Sequence, residues 1–182
     1  MALENITIND CPNIKYISVH GLTSLKTFSI NRVPSLYRFD CAHTTGITEI
    51  NAIDSIGLKI LIAQNSKVKT IKLPNRDDFT LDYLDLASAT DLTSLDYYDI
   101  DAGEVIPDES VCDLKRCFNQ IDNTTHYLAM KYCSSLERIQ NLNYIGPLNG
   151  LFDSASKLTT IDNVTLRLPK KEYATSYNET YS

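Results

Sequence analysis

The amino-acid sequence predicts an α/β solenoid, mostly parallel β, with short helices in its C-terminal half. Three observations carry that expectation. An apolar triplet recurs at steps of about eleven residues through roughly the first seventy. Each triplet has the spacing of a short strand preceded by a bend. Beyond Pro74 the step fails, and two apolar stretches adopt helical spacing instead.

The stretch LTSLKTFSINRVPSLYRFDCA shows the unit twice, as Leu25, Phe28 and Ile30 and then as Leu36, Phe39 and Cys41. The first apolar positions of the series are Ile14, Leu25, Leu36, Ile47, Leu58 and Val68. Three residues on stand Ile17, Phe28, Phe39, Ile50, Leu61 and Ile71, and two beyond those Val19, Ile30, Cys41, Ala52, Ala63 and Leu73. A single strand of this kind cannot bury its apolar face. Stacked on its next copy it forms a continuous core and a parallel ladder, with strands about 4.8 Å apart.

After Pro74, NRDDF reads as a loop, and Phe79, Leu81, Leu84 and Leu86 resume strand alternation. LTSLDYYDI reads as another coil with Leu92, Leu95, Tyr97 and Ile100 inward, and DAGEVIPDES as an insertion. SVCDLKRCFNQI is expected to be a helix, because Val111, Leu114, Cys117, Phe118 and Ile121 share a face and Ser110 with Asp113 resembles an N-terminal cap. GPLNGLFDSAS repeats the pattern through Leu148, Leu151, Phe152 and Ala155. HYLAMKY, LERIQNL and LTTIDNVTLRL supply the remaining strands. The chain is thus expected to be one continuous solenoid: regular coils over 1–74, irregular coils with helical insertions over 75–168, and a polar tail over 169–182.

At 182 residues with a net charge of −6, one domain is expected. Lys and Arg are scattered, Lys170 and Lys171 being their only close group, so no nucleic-acid partner is expected. No apolar run approaches the roughly 18 residues of a membrane span, so no membrane insertion is expected either. The opening MALENITIND has no basic and apolar leader, hence no visible secretory signal.

Five cysteines, without a CxxC pair, argue against a disulfide framework. Cys11, Cys41 and Cys133 fall where a small buried thiol suits the core. Cys112 and Cys117 lack a second ligand pair, and His20, His43 and His126 are dispersed, so neither a metal nor a cofactor is expected.

CPNIKYISVHGLTSLKTFSI and PSLYRFDCAHTTGITEINAI resemble the short bacterial leucine-rich repeats of about 22 residues found in Bacteroidetes and gut-phage proteins. The resemblance spans residues 3–73 and returns at ATDLTSLDYYDI, CSSLERIQNL and SKLTTIDNVTL. The asparagine ladder usual after the strand is mostly missing, Asn65 being its clearest survivor. LKRCF and LNGLF, which begin at Leu114 and Leu148, are about thirty-four residues apart and resemble the BspA-like branch of the family.

The resemblance implies a leucine-rich-repeat solenoid that binds a protein or a cell-surface glycan without catalysis, on a bacterial surface, secreted, or in a virion. Its alternative is a structural component of a virus particle, a phage tail, fibre or decoration protein. Such a chain would self-assemble through uncapped solenoid ends or continue in a larger protein.

The expected recognition face consists of outward residues flanking the apolar positions: Lys15, Tyr16 and Ser18; Lys26, Thr27 and Ser29; Tyr37, Arg38 and Asp40; Thr48 and Glu49. Tyr97 and Tyr98 are adjacent, so one is expected to face outward, and Tyr127, Tyr132 and Tyr144 to extend an aromatic line. Asp99, Asp101 and Glu104 around Gly103 do not complete a calcium loop. Asp77, Asp78, Asp82, Asp85, Asp91 and Asp96 could serve glycoside cleavage only if two were brought to catalytic separation. No Gly-x-Ser-x-Gly elbow is present, and no catalytic residue is assigned.

Overall fold

The computed structural model describes residues 2–99, 111–118 and 126–168. These residues form a parallel β-solenoid of about seven stacked turns. Each eleven-residue unit contributes one strand, and consecutive units place their strands on alternate sides of a shared core. One turn therefore takes about 22 residues, and the pairing runs Ile17 to Phe39 to Leu61 along one side and Ile50 to Ile71 along the other.

The first nine strands are β1 (Asn5–Asn9), β2 (Tyr16–Ser18), β3 (Thr27–Asn31), β4 (Arg38–Asp40), β5 (Glu49–Asn51), β6 (Ile60–Ile62), β7 (Thr70–Pro74), β8 (Tyr83–Asp85) and β9 (Ser94–Tyr98). Six follow: β10 (Val111–Asp113), β11 (Tyr127–Ala129), β12 (Arg138–Gln140), β13 (Asn143–Ile145), β14 (Thr160–Asp162) and β15 (Thr165–Arg167). One sheet has five strands in the order β2-β4-β6-β8-β11, and the other six in the order β5-β7-β9-β10-β12-β14. The pair β1-β3 lies beside β5, and β13 pairs with β15. Strict alternation breaks between β9 and β10, which are neighbours in the six-stranded sheet, while β8 pairs directly with β11 across 44 residues.

The core is made of the predicted triplets. Leu36, Phe39, Leu58, Leu61, Leu84 and Leu95 have no exposed surface, and Ile47, Ile50, Val68 and Ile71 have almost none. Phe28 is half-buried and stacks on Phe39 with ring centres 5.0 Å apart and planes within 9°.

The helices expected at 110–121 and 146–156 are corrected. No helix occurs among the described residues: Val111–Asp113 is strand β10, Cys117 bridges to Leu81, and 149–154 are turns. Residues 100–110 and 119–125, and the tail 169–182, lie outside the described residues, and with them the expected inward Ile100 and the insertion DAGEVIPDES. The fold class is accordingly β-solenoid rather than α/β. The misleading signal has a physical source at the solenoid corners. Many corners close with an N–H donating to the carbonyl three residues back, as in Leu25 to Leu22, Leu58 to Ser55 and Leu136 to Cys133. Cys117 to Leu114 and Leu151 to Leu148 are the same bond. An apolar pair three apart therefore marks one tight turn, not a helical face.

Corners elsewhere adopt a left-handed backbone. Gly21, His43, Asn65, Ser88, Tyr132 and Ser154 have φ between +51° and +69° and form one column at the end of the five-stranded sheet. Asp10 and Arg32 after β1 and β3, and Asn141 and Asn163 after β12 and β14, adopt the same backbone on the other side of the core. Backbone in this region is sparsely populated by non-glycine residues and costs of order 1–3 kcal/mol each. The compensation is a stacking bond: the N–H of Gly21, His43, Asn65 and Ser88 each reaches a carbonyl of the adjoining coil at 2.8 Å, and that of Tyr132 at 2.6 Å.

Where the five-stranded sheet stops, a side chain stands in for the next strand. The Tyr144 hydroxyl donates to the His126 carbonyl at 3.2 Å and accepts the Leu128 N–H at 3.3 Å. Gly146 makes room for it, since a Cβ there would fall on the Tyr144 hydroxyl. Tyr144→Phe deletes both bonds inside the core and is expected to cost about 1–3 kcal/mol. Tyr132→Phe, on a half-exposed ring, should stay within about 0.5 kcal/mol. Urea unfolding of the two variants checks this, and equal midpoints would contradict the assigned role.

Candidate recognition surface

In a strand, residues flanking an inward side chain point outward. The five-stranded sheet therefore presents two outward columns about 4.8 Å per step. Tyr16, Arg38, Ile60, Tyr83 and Tyr127 form one, and Ser18, Asp40, Ile62, Asp85 and Ala129 the other. Tyr16 is exposed, and Arg38, Ile60, Ile62, Tyr83, Tyr127 and Ala129 are partly so. The Tyr83 and Tyr127 rings stack with centres 4.3 Å apart and planes within 12°. Tyr16 meets Tyr37 edge to face at 6.1 Å.

The carboxylates of this face serve the turns as well. Asp40 and Asp85, like Asp113 on β10 of the six-stranded sheet, each end a strand and accept the N–H two residues on, at 3.1, 3.0 and 3.0 Å from Ala42, Ala87 and Lys115. These are Asx-turns, which a short carboxylate makes at a strand end. Asp40 also receives Arg38 at 3.1 Å and faces His20 Nδ1 at 3.5 Å. Burial pushes the Asp85 carboxyl above the usual range, against the Ala87 N–H and the charge of Lys131, while the Asp40 charge adds to the rise.

The opposite face differs in chemistry and in what occupies it. Thr27 bonds Asn5 at 2.6 Å, Ser29 bonds Thr7 at 3.3 Å, and Asn31 bonds Asn9 at 2.9 Å. Lys26 pairs with Glu4, Arg32 with Asp10, and Glu49 with Lys72 and Thr70. These rows tie one coil to the next. Of the residues expected on one recognition face, Tyr16, Ser18, Arg38 and Asp40 thus lie together on the five-stranded sheet. Thr27, Ser29 and Glu49 lie on the other side of the core. Lys15, Lys26, Tyr37 and Thr48 stand at the corners just before the strands, where Tyr37 N–H bonds the Lys15 carbonyl at 2.8 Å.

The aromatic expectation needs correction. Tyr97 and Tyr98 are both buried, at 5% and 8% exposure, and the Tyr97 hydroxyl accepts the Arg116 N–H at 3.3 Å and contacts Cys117 Sγ at 3.4 Å. Tyr144 is wholly buried, and Tyr132 is exposed at a corner. Asn65 is also not the ladder residue. It occupies a left-handed corner, while Thr44 and Cys133, one position further on in their coils, reach back to the Val19 and Leu86 carbonyls at 2.9 and 3.1 Å.

The candidate carboxylates have separate partners. Asp78 is held by Arg76, Asp77 by Arg116, Asp91 by Lys67, and Asp96 accepts the Tyr97 N–H. Among the described residues no group of three or more His, Cys, Asp or Glu is placed to hold a metal ion. The five cysteines are free thiols; burial pushes those of Cys41, Cys117 and Cys133 up to about 12. No helix among the described residues is long and apolar enough to cross a membrane.

At the end of the five-stranded sheet a notch of about 120 Å³ opens between β11 and residues 147–151, with Tyr127, Lys131, Asn149 and Gly150 in its wall. Sequence reading missed it, as it missed Ile60 and Tyr83 as face residues, whereas Tyr127, expected in an exposed aromatic line, is partly exposed there. The available signal was composition. Outward positions of one set of alternate units are Tyr, Arg and Ile, and those of the other set are Asn, Thr and Ser in the first coils. Comparison with family models, with curated proteins and with solved structures gives no match.

Because its folded carboxyl holds its proton more tightly than the unfolded one, Asp85 lowers stability as pH rises through and above the usual carboxylate range. Asp85→Asn keeps an acceptor for the Ala87 N–H and removes the charge. It is expected to raise the melting temperature relative to the parent at about pH 7 and to lose that advantage at about pH 3. A variant whose advantage is absent at pH 7 would contradict this.

Proposed function

We propose that the protein is a non-enzymatic recognition module of leucine-rich-repeat type, binding a protein or glycan on the outer face of its five-stranded sheet. The observation that carries the reading is the unequal use of the two faces. The hydroxyl and amide rows of the opposite side in the N-terminal coils are engaged in coil-to-coil bonds. The five-stranded sheet instead offers a half-exposed strip of Arg38, Ile60, Ile62, Tyr83 and Tyr127 on a rigid array. Tyr and Arg in such a setting supply contact area at low entropic cost.

A structural subunit that stacks through coil ends is the second reading. It is favoured by Ile161, which follows the buried Ile139 in the same column yet is 50% exposed, and by Leu168 at 72%.

The test compares surface variants against cell-surface extracts of proteins and glycans immobilised separately. Arg38→Glu with Ile60→Asn is expected to lose binding at least about tenfold, whereas Thr48→Ala with Lys67→Ala, away from the strip, is expected to retain it. Equal binding by both variants, at unchanged melting temperature, would overturn the choice of face.

A further inference from the structure

We propose that the notch beside β11 is a binding subsite for one neutral pyranose unit, the end of a glycan that continues over the Tyr83 and Ile62 strip. The inference rests on the recognition reading above and names its ligand class. The notch exists because the fold changes there. Among the described residues β11 has a strand neighbour on one side only, β8, and on the other side the Tyr144 hydroxyl bonds the Leu128 N–H and the His126 carbonyl. Pro147 and the left-handed Gly150 then carry the chain past without forming a strand, and the next backbone contact comes only at Met130, which bonds the Leu151 carbonyl at 3.3 Å.

What remains is a space of about 120 Å³, far below the 300–1,000 Å³ of sites for larger organic ligands and suited to a single ring. Its wall is mixed. The Tyr127 ring, held from behind by Tyr83, gives a flat aromatic surface for the C–H face of a sugar. Asn149, exposed on the rim, offers both a donor and an acceptor, and Lys131 offers an ammonium donor. The charge is balanced, since the carboxylate of Asp85 lies close enough to Lys131 to feel it. A hydroxyl-rich neutral ring satisfies these groups. A phosphate or carboxylate would find a single cation, whose ammonium lies 6.0 Å from the centre of the Tyr132 ring.

The experiment is a backbone-amide NMR titration of the whole protein with neutral hexose oligosaccharides, and with a uronic-acid oligosaccharide as the charged comparator. Saturable shifts at residues 127–131 and 147–151 are expected with a neutral oligosaccharide. Asn149→Ala and Lys131→Ala should each weaken binding about tenfold at an unchanged melting temperature. Three results would overturn the subsite: no shifts with any neutral sugar, preference for the uronic acid, or neutral-sugar binding that survives both substitutions. If sugar binds and Arg38→Glu with Ile60→Asn abolishes it while the notch variants do not, only the subsite fails. If neither set of variants changes binding, the recognition face itself fails.

Discussion

The corner hydrogen bond between coils is the interaction on which the rest of the structure depends. Beside the five-stranded sheet the left-handed residues Gly21, His43, Asn65, Ser88 and Tyr132 turn their N–H along the solenoid axis, where each meets a carbonyl of the next coil at 2.6–2.8 Å. These bonds help to keep each turn near 22 residues and each inward position above its predecessor. A slip by one residue would carry every core side chain to the outside. Five of the six corners beside the five-stranded sheet accept the strain in a non-glycine residue, Tyr132 among them. In a chain with only 6 glycines, the bond and the packing it aligns outweigh the conformational cost.

Registration has a second consequence, on the surface. Once the inward columns are fixed, outward columns repeat about every 4.8 Å, and side chains one coil apart are neighbours. The protein uses this in two ways. On the side that includes β1 and β3, neighbours are complementary: hydroxyl with amide, Lys with Glu, Arg with Asp. Exposed pairs of this kind add little individually, and they help hold register. On the five-stranded side rings and aliphatic groups join Arg38 and the turn carboxylates of Asp40 and Asp85, with the Tyr83 and Tyr127 stack at the end of the sheet. The same spacing rule thus gives the two faces different chemistry: polar pairs between coils on one, a half-exposed aromatic and aliphatic strip on the other.

Much of this architecture was legible because strands and corners leave different marks. The triplets at Leu25, Phe28 and Ile30 and at Leu36, Phe39 and Cys41 announced the stacked strands, and their inward placement follows from alternation alone. Two things were not legible. Leu114 with Cys117 and Leu148 with Leu151 looked helical because one tight turn and one helical turn both place apolar residues three apart, and a short segment offers too few repeats to tell them apart. The division into two faces was hidden for a different reason. Eleven residues return the chain to the same local geometry but to the opposite sheet, so Tyr16 and Thr27 occupy equivalent positions in sequence and opposite sides in space. Tyr144 was misplaced because its role depends on a strand that is missing, which no local pattern records.

The most direct test of the account is a nuclear Overhauser map of backbone contacts between strands in solution. Stacked coils of about 22 residues predict close contacts of Arg38 with Tyr16 and with Ile60, of Glu49 with Thr70, and of Tyr83 with Tyr127 across 44 residues. Contacts between strands eleven residues apart, or helical contacts across 111–118 or 147–156, would contradict the solenoid described here.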